Sequence, residues 1–252
     1  MYNRIAIYIA LVSLFACKKE PQNISYELAS PNGTNKIVFE LSETSPSYSV
    51  SHGDKKVVEP SALGFVFKEN DSLSHNLELI NTERSSFNET WEQVWGEKHL
   101  VENNYNQLTV QLQEKADTKR KLNIEFRAFD DGVAFRYVFP EQGVKDSIFI
   151  MNELTEFNLK NDGDAWWIPA YKANRYEHLF TKTKLSEIDT VHTPFTIKSD
   201  DGLYLSLHEA DLKNFASYTV AKKEGTQLDL DLMPWSDGVK VRTVHSFQTP
   251  WR

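Results

Sequence analysis

The chain has 252 residues, 40% hydrophobic and 12% aromatic, with 28 Lys+Arg against 36 Asp+Glu for a formal charge of −8. That length and apolar content suit one large domain or two small ones with a sizeable core. No basic run gives the footprint that phosphate neutralisation needs, which excludes a nucleic-acid partner.

Residues 1–16 read as an export signal. Arg4 precedes the apolar run Ile5–Ala16, which is too short to span a bilayer but has the length of a signal-peptide core. The run ends in Leu14-Phe15-Ala16-Cys17, which looks like a bacterial lipobox, and Cys17 is the only cysteine. A lone cysteine makes no internal disulfide, so Cys17 is read as a lipidation site, with an incidental cysteine after an ordinary secretory peptide as the alternative. Residues 17–24 form a polar tether and residues 25–252 the folded domain. The expected location is the periplasm or cell surface, with the membrane as partner through the lipid.

From there the hydrophobic period is two. Lys36–Leu41, Leu108–Gln113, Leu122–Arg127, Leu203–His208 and Gln227–Leu232 all alternate, which places one side-chain set inward and predicts half-buried antiparallel strands. Asn32-Gly33, His52-Gly53-Asp54, Asp131-Gly132, Asp162-Gly163, Asp201-Gly202 and Asp237-Gly238 supply turn chemistry between runs. The clearest hairpin joins Leu122–Phe129 to Val133–Phe139 through Asp131-Gly132. Repeated strands without a helical stripe predict an all-β sandwich. Three stretches break the pattern: Phe87–Asn106 and Asp164–Ile188 read as loops, and His208–Phe215 as a short helical or irregular element.

A self-contained catalytic set does not emerge. There is no Gly-x-Ser-x-Gly elbow, no P-loop and no dinucleotide glycine cluster. His208-Glu209 lacks the second histidine of a zinc-protease helix. Carboxylates suited to glycoside hydrolysis cannot be chosen among 36 acids by spacing. The outstanding segment is Trp166-Trp167-Ile168-Pro169 followed by a polar loop ending in Tyr176-Glu177. Glu177 offers a hard oxygen ligand for Ca²⁺ or hydrogen bonds to a sugar; a solvated loop carboxylate is the plain alternative. Aromatic rings also stack on sugar C–H faces, although core packing claims most of them.

A series of motifs runs through the chain in order. It comprises Ser30-Pro31-Asn32-Gly33, Pro60–Gly64, Glu89–Glu97, Asn104-Tyr105-Asn106, Phe126–Tyr137, Trp167-Ile168-Pro169, Tyr176-Glu177, Asp201–Tyr204, His208-Glu209-Ala210 and Thr249-Pro250-Trp251-Arg252. The ordered set resembles the N-terminal domain of glycoside hydrolase family 97. The resemblance implies an antiparallel β-supersandwich of galactose-mutarotase-like fold, placed before a (β/α)8 barrel in enzymes that hydrolyse α-glucosides or α-galactosides with calcium. It implies that Glu177 is the one calcium ligand contributed by the sandwich. Glu209 and Trp167 are candidate substrate-binding residues, with local hydrogen bonding or a place in the pocket wall as the alternative for Glu209 and core or interface packing for Trp166 and Trp167. It also implies that the catalytic carboxylates belong to the barrel, beyond Arg252, so that no catalytic residue is assigned within these 252. Two other expectations are a stand-alone carbohydrate-binding lipoprotein and, on fold analogy alone, a mutarotase-like epimerase.

Overall fold

The computed structural model describes residues 23–143, 147–172 and 177–252. Over these the chain is antiparallel sheet, with two single 3₁₀ turns at Lys68–Asn70 and Leu185–Glu187 as its helical elements. The expected all-β supersandwich is what the chain forms. Cys17 and the rest of the segment expected to be an export signal lie outside the described residues. The first strand begins at Ile24.

Alternation becomes burial as expected. In Lys121–Phe129 every second residue, Leu122, Ile124, Phe126 and Ala128, is fully buried. Ile37, Phe39 and Leu41 do the same in Asn35–Ser42, as do Leu228, Leu230 and Leu232 in Gln227–Leu232. Burying one such Leu, Ile or Phe side chain contributes about 1.5–3 kcal/mol.

The first sheet is a meander of Ile24–Ala29, Asn35–Ser42, Ser45–His52 and Lys55–Ala62. It packs on a second meander, Leu77–Glu92, Leu100–Glu114, Lys121–Phe129 and Gly132–Phe139. Phe39 meets Phe126 at 5.9 Å and Tyr48 meets Phe135 at 4.7 Å between ring centroids. Short Phe247–Gln248 closes the second sheet's edge by pairing with Val138 and Phe139. Ser147–Glu153 centres a third sheet, while Gln227–Leu232 with Tyr218–Lys222 centres a fourth. Thr181–Lys184, Gly163–Trp167, Phe195–Ser199 and Tyr204–Leu207 make the fifth. One continuous apolar cluster runs through all five.

Several expectations shift. Phe87–Asn106 is not a loop: it is the outer half of a ribbon pairing Leu77–Glu92 with Leu100–Glu114. Beyond the Tyr105↔Phe129 pair no third strand among the described residues backs this ribbon, so neither face is buried and no alternation is selected. Asp164–Ile188 contains strands Gly163–Trp167 and Thr181–Lys184. The hairpin after Phe129 turns on Asp130-Asp131, and Gly132 opens the next strand opposite Phe129. Gly163 is likewise a strand residue. A Cβ there would lie 2.2 Å from the Lys198 carbonyl oxygen, so glycine serves close strand approach rather than a turn. Gly33, Gly53, Gly202 and Gly238 do take positive φ.

Candidate functional site

Segments distant in sequence line a cavity of about 510 Å³. The first sheet supplies Tyr48 and His52, the Asp130-Asp131 turn closes one side, and the edge strand Tyr204–Leu207 runs on through His208-Glu209-Ala210 to form another. Leu203, Leu205 and Leu207 are only half-buried because they face this space. Tyr204 stands 62% exposed at its margin.

The cavity wall ends on a buried ion network. Arg252 donates from Nε and Nη2 to both Glu153 oxygens at 3.0 and 2.8 Å, and from Nη1 to Glu209 Oε2 at 3.0 Å. Thr155 Oγ1 donates to Glu153 at 3.0 Å, and Tyr137 OH lies 2.8 Å from Thr155 Oγ1. The backbone fixes the arginine as firmly. Arg252 N–H donates to the Phe135 carbonyl at 2.7 Å, the Arg252 carbonyl accepts from Phe135 at 3.0 Å, and Trp251 pairs with Ala210. The motifs His208-Glu209-Ala210 and Thr249–Arg252 are therefore one structural unit.

One guanidinium facing two carboxylates leaves an excess negative charge in a low-dielectric setting. Burial pushes the Glu209 carboxyl above the usual range, against the opposing pull of Arg252. Tyr218 also walls the cavity. Its ring lies 5.1 Å from the Arg252 guanidinium carbon. Its hydroxyl is buried with no hydrogen-bond partner among the described residues. An unmet buried hydroxyl costs about 1–3 kcal/mol.

The other sequence-predicted residues lie elsewhere, and neither Trp167 nor Glu177 lines this cavity. Trp167 sits in Gly163–Trp167, half-buried against the core, with Nε1 donating to Thr183 Oγ1 at 3.0 Å. Trp166, its neighbour on the opposite face, has the Lys182 ammonium 5.0 Å from its ring centroid. The foot of the following loop is held by the Pro169–Val191 bridge and by the Ala170 N–H to the Thr190 carbonyl at 2.8 Å. Tyr171, at φ +58°, donates its hydroxyl to Asp231 at 2.6 Å; burial, reinforced by that carboxylate, pushes its pKa up to about 12. Residues 173–176, including Arg175 and Tyr176, lie outside the described residues. Glu177 is exposed, as are Leu179 and Phe180 after it. His178 Nε2 is buried without a partner among the described residues, a feature sequence reasoning had no signal for.

Calcium takes about six to eight oxygen ligands. No group of three or more His, Cys, Asp or Glu is gathered for a metal among the described residues. Glu177 suits the role of one hard-oxygen ligand, and the described residues around it do not complete a site.

The sequence profile of the glycosyl-hydrolase 97 N-terminal family matches residues 28–252. A retaining α-galactosidase of Bacteroides thetaiotaomicron is 25% identical over 214 residues, which is 79% of this chain and 31% of that protein. A probable retaining α-galactosidase of Streptomyces bingchenggensis is 23% identical over 253 residues, 98% of this chain and 38% of that one. A family 97 enzyme of Pseudoalteromonas sp., solved in complex with panose, superimposes with a TM-score of 0.86 at 39% identity, covering 90% of this chain and 35% of that one. The chain thus spans about a third of the length of these relatives. Fold, motif order and profile agree: the chain belongs to the glycosyl-hydrolase 97 N-terminal family.

Proposed function

We propose that this domain is the N-terminal module of an exported α-glycosidase and completes the active site formed with a catalytic barrel. The observation that carries this reading is the family match over residues 28–252, with 39% identity to the Pseudoalteromonas sp. enzyme. The substrates are α-galactosides or α-glucosides. The first class follows from the names of the two curated relatives, the second from the panose and acarbose held by the Pseudoalteromonas sp. enzyme. Exposed apolar residues fit a module that docks: Trp91, Val94, Trp95 and Leu100 at the ribbon end, Leu179 and Phe180 beside Glu177. Bare patches of this kind mark contact surfaces in soluble proteins.

In this reading Glu177 would supply one carboxylate to a calcium ion whose other ligands come from the barrel; such an ion would supply orientation of a sugar hydroxyl and stabilisation of developing charge. The chain alone binds calcium weakly. Cys17 carries the lipid; mass spectrometry of membrane fractions should find an acylated N-terminal Cys17, and an unmodified soluble protein starting elsewhere would count against the anchor.

The functional reading is tested by joining this chain to the catalytic part of the Pseudoalteromonas sp. enzyme in place of that enzyme's own N-terminal third. The joined protein is expected to hydrolyse aryl α-glucosides or α-galactosides, and the 252-residue chain alone to hydrolyse neither. A folded joined protein without α-glycosidase activity contradicts the proposal, and so does turnover by the chain alone that survives purification.

A further inference from the structure

We propose that the outer face of the second sheet, from Trp91 and Phe87 on the ribbon to Arg127 and Trp251, is the surface on which the catalytic part of the α-glycosidase docks, with a carboxylate of that part seated on Arg127. The identity of the partner rests on the proposed function; the surface itself does not. Leu122, Ile124, Phe126 and Ala128 face the core, so Arg127 and Phe129 point to the other side of the sheet. The pairs Arg127↔Gln107, Phe129↔Tyr105 and Tyr105↔Phe87 carry that side onto the ribbon, where Trp91 shares it further out. The solvent side of an antiparallel sheet is ordinarily polar. Here one stack crosses it. The Phe87 and Tyr105 ring centroids lie 5.4 Å apart. The Arg127 guanidinium carbon lies 4.2 Å from the Tyr105 ring and 4.2 Å from the Trp251 ring, and that of Arg136 lies 4.5 Å from Trp251 as well.

The charges on this face are not balanced. Arg136 is matched by Glu125, whose Oε2 accepts from its Nε at 2.7 Å. Arg127 donates from Nε to the neutral Gln107 Oε1 at 2.8 Å and has no carboxylate partner among the described residues. Burial lowers its pKa from the ordinary value, opposed by Tyr105 and reinforced by Arg136. A half-buried cation of this kind gains from a counter-ion, and a guanidinium takes a carboxylate through two parallel hydrogen bonds. Tyrosine, tryptophan and arginine are also the side chains that dominate binding energy in protein interfaces. Phe87 is 40% and Trp91 46% exposed, which leaves apolar surface bare beside the cation. An N-terminal module leads into the rest of its enzyme through its last segment, and Trp251 of Thr249–Arg252 is itself a member of the stack. Backbone hydrogen bonds to Phe135 and Ala210 fix that segment beside this face.

The test is hydroxyl-radical footprinting, read by mass spectrometry, of the 252-residue chain and of the folded joined protein described above. Phe87, Trp91 and Trp251 should be labelled in the chain and at least about fivefold less in the joined protein, as residues at the core of an interface are. Arg127→Glu in the joined protein should return Phe87 labelling to within about twofold of the chain alone, because it sets like charges against each other. Phe87→Ser, at an exposed position, should do the same for Trp91 without relying on the arginine. Equal labelling of chain and joined protein overturns the proposal. Protection that survives Arg127→Glu overturns the carboxylate anchor. Labelling of the chain alone that falls as its concentration rises, with no further protection in the joined protein, assigns the face to a second copy and also overturns it. Hydrolysis plays no part in this readout. A joined protein that is protected but inactive sinks the active-site role alone, and one that is active but unprotected sinks the docking face alone.

Discussion

Arg252 is 6% exposed and balances two carboxylates from distant parts of the chain. Removing it leaves Glu153, whose side chain has no exposure at all, without its ion partner. Arg252→Ala should therefore lower the unfolding free energy by about 3–5 kcal/mol, read as a fall in the urea midpoint. Glu209→Gln should cost about 1 kcal/mol or less, because Gln keeps an acceptor for Arg252 and burial already disfavours the charge on Glu209. Equal losses from the two variants would show that the network is not centred on Glu153. Sequence reading marked His208-Glu209-Ala210 and Thr249–Arg252 as separate motifs. Their union through Arg252 and the Ala210–Trp251 bridge spans more than forty positions, and no periodicity reports a pairing at that separation.

At the scale of elements, the turn after Leu100–Glu114 is locked by charge. Arg120 grips Glu114 with Nε at 2.9 Å and Nη2 at 2.8 Å, and its Nη1 reaches Asp71 at 2.5 Å. Thr118 Oγ1 also donates to Glu114. The Arg120 hydrogen bond, helped by Thr118, holds the Glu114 carboxyl below the usual carboxylate range. Its folded pKa lies under its unfolded one, so its stabilising contribution is complete above the ordinary carboxylate pKa. That contribution is lost as pH falls through the depressed value. Glu114→Gln should cost about 2 kcal/mol at neutral pH and much less in acid. A deficit that stays constant from pH 7 down to pH 3 would contradict the assignment.

Strands with one buried face, such as Lys121–Phe129 and Gln227–Leu232, were legible because burial enforces period two. The outer ribbon was not, since Phe87, Trp91 and Leu100 stand exposed on strands with no backing layer. Gly132 and Gly163 read as turn glycines but lie in strands; at Gly163 the cause is close approach to Lys198, and a glycine selected for that looks the same in sequence as one selected for positive φ.

For the molecule as a whole, the supersandwich followed from motif order together with alternation, while the cavity did not. Its walls come from the first sheet, the Asp130-Asp131 turn and the segment after Tyr204, and only the fold brings these together. Glu177 was chosen because the family resemblance places a calcium ligand at its position, and the structure leaves it exposed, after a loop whose foot is pinned by Ala170 and Tyr171. The central claim is that this domain completes an α-glycosidase active site. The most direct test measures aryl α-glycoside hydrolysis across a calcium titration, comparing the joined enzyme described above with its Glu177→Gln variant. Gln keeps the size and one carbonyl oxygen while removing the charge. The account predicts at least a tenfold rise in the calcium concentration needed for half-maximal activity, equivalent to about 1.4 kcal/mol, together with a lower kcat/KM. Unchanged calcium dependence and unchanged kcat/KM in a correctly folded variant would contradict it.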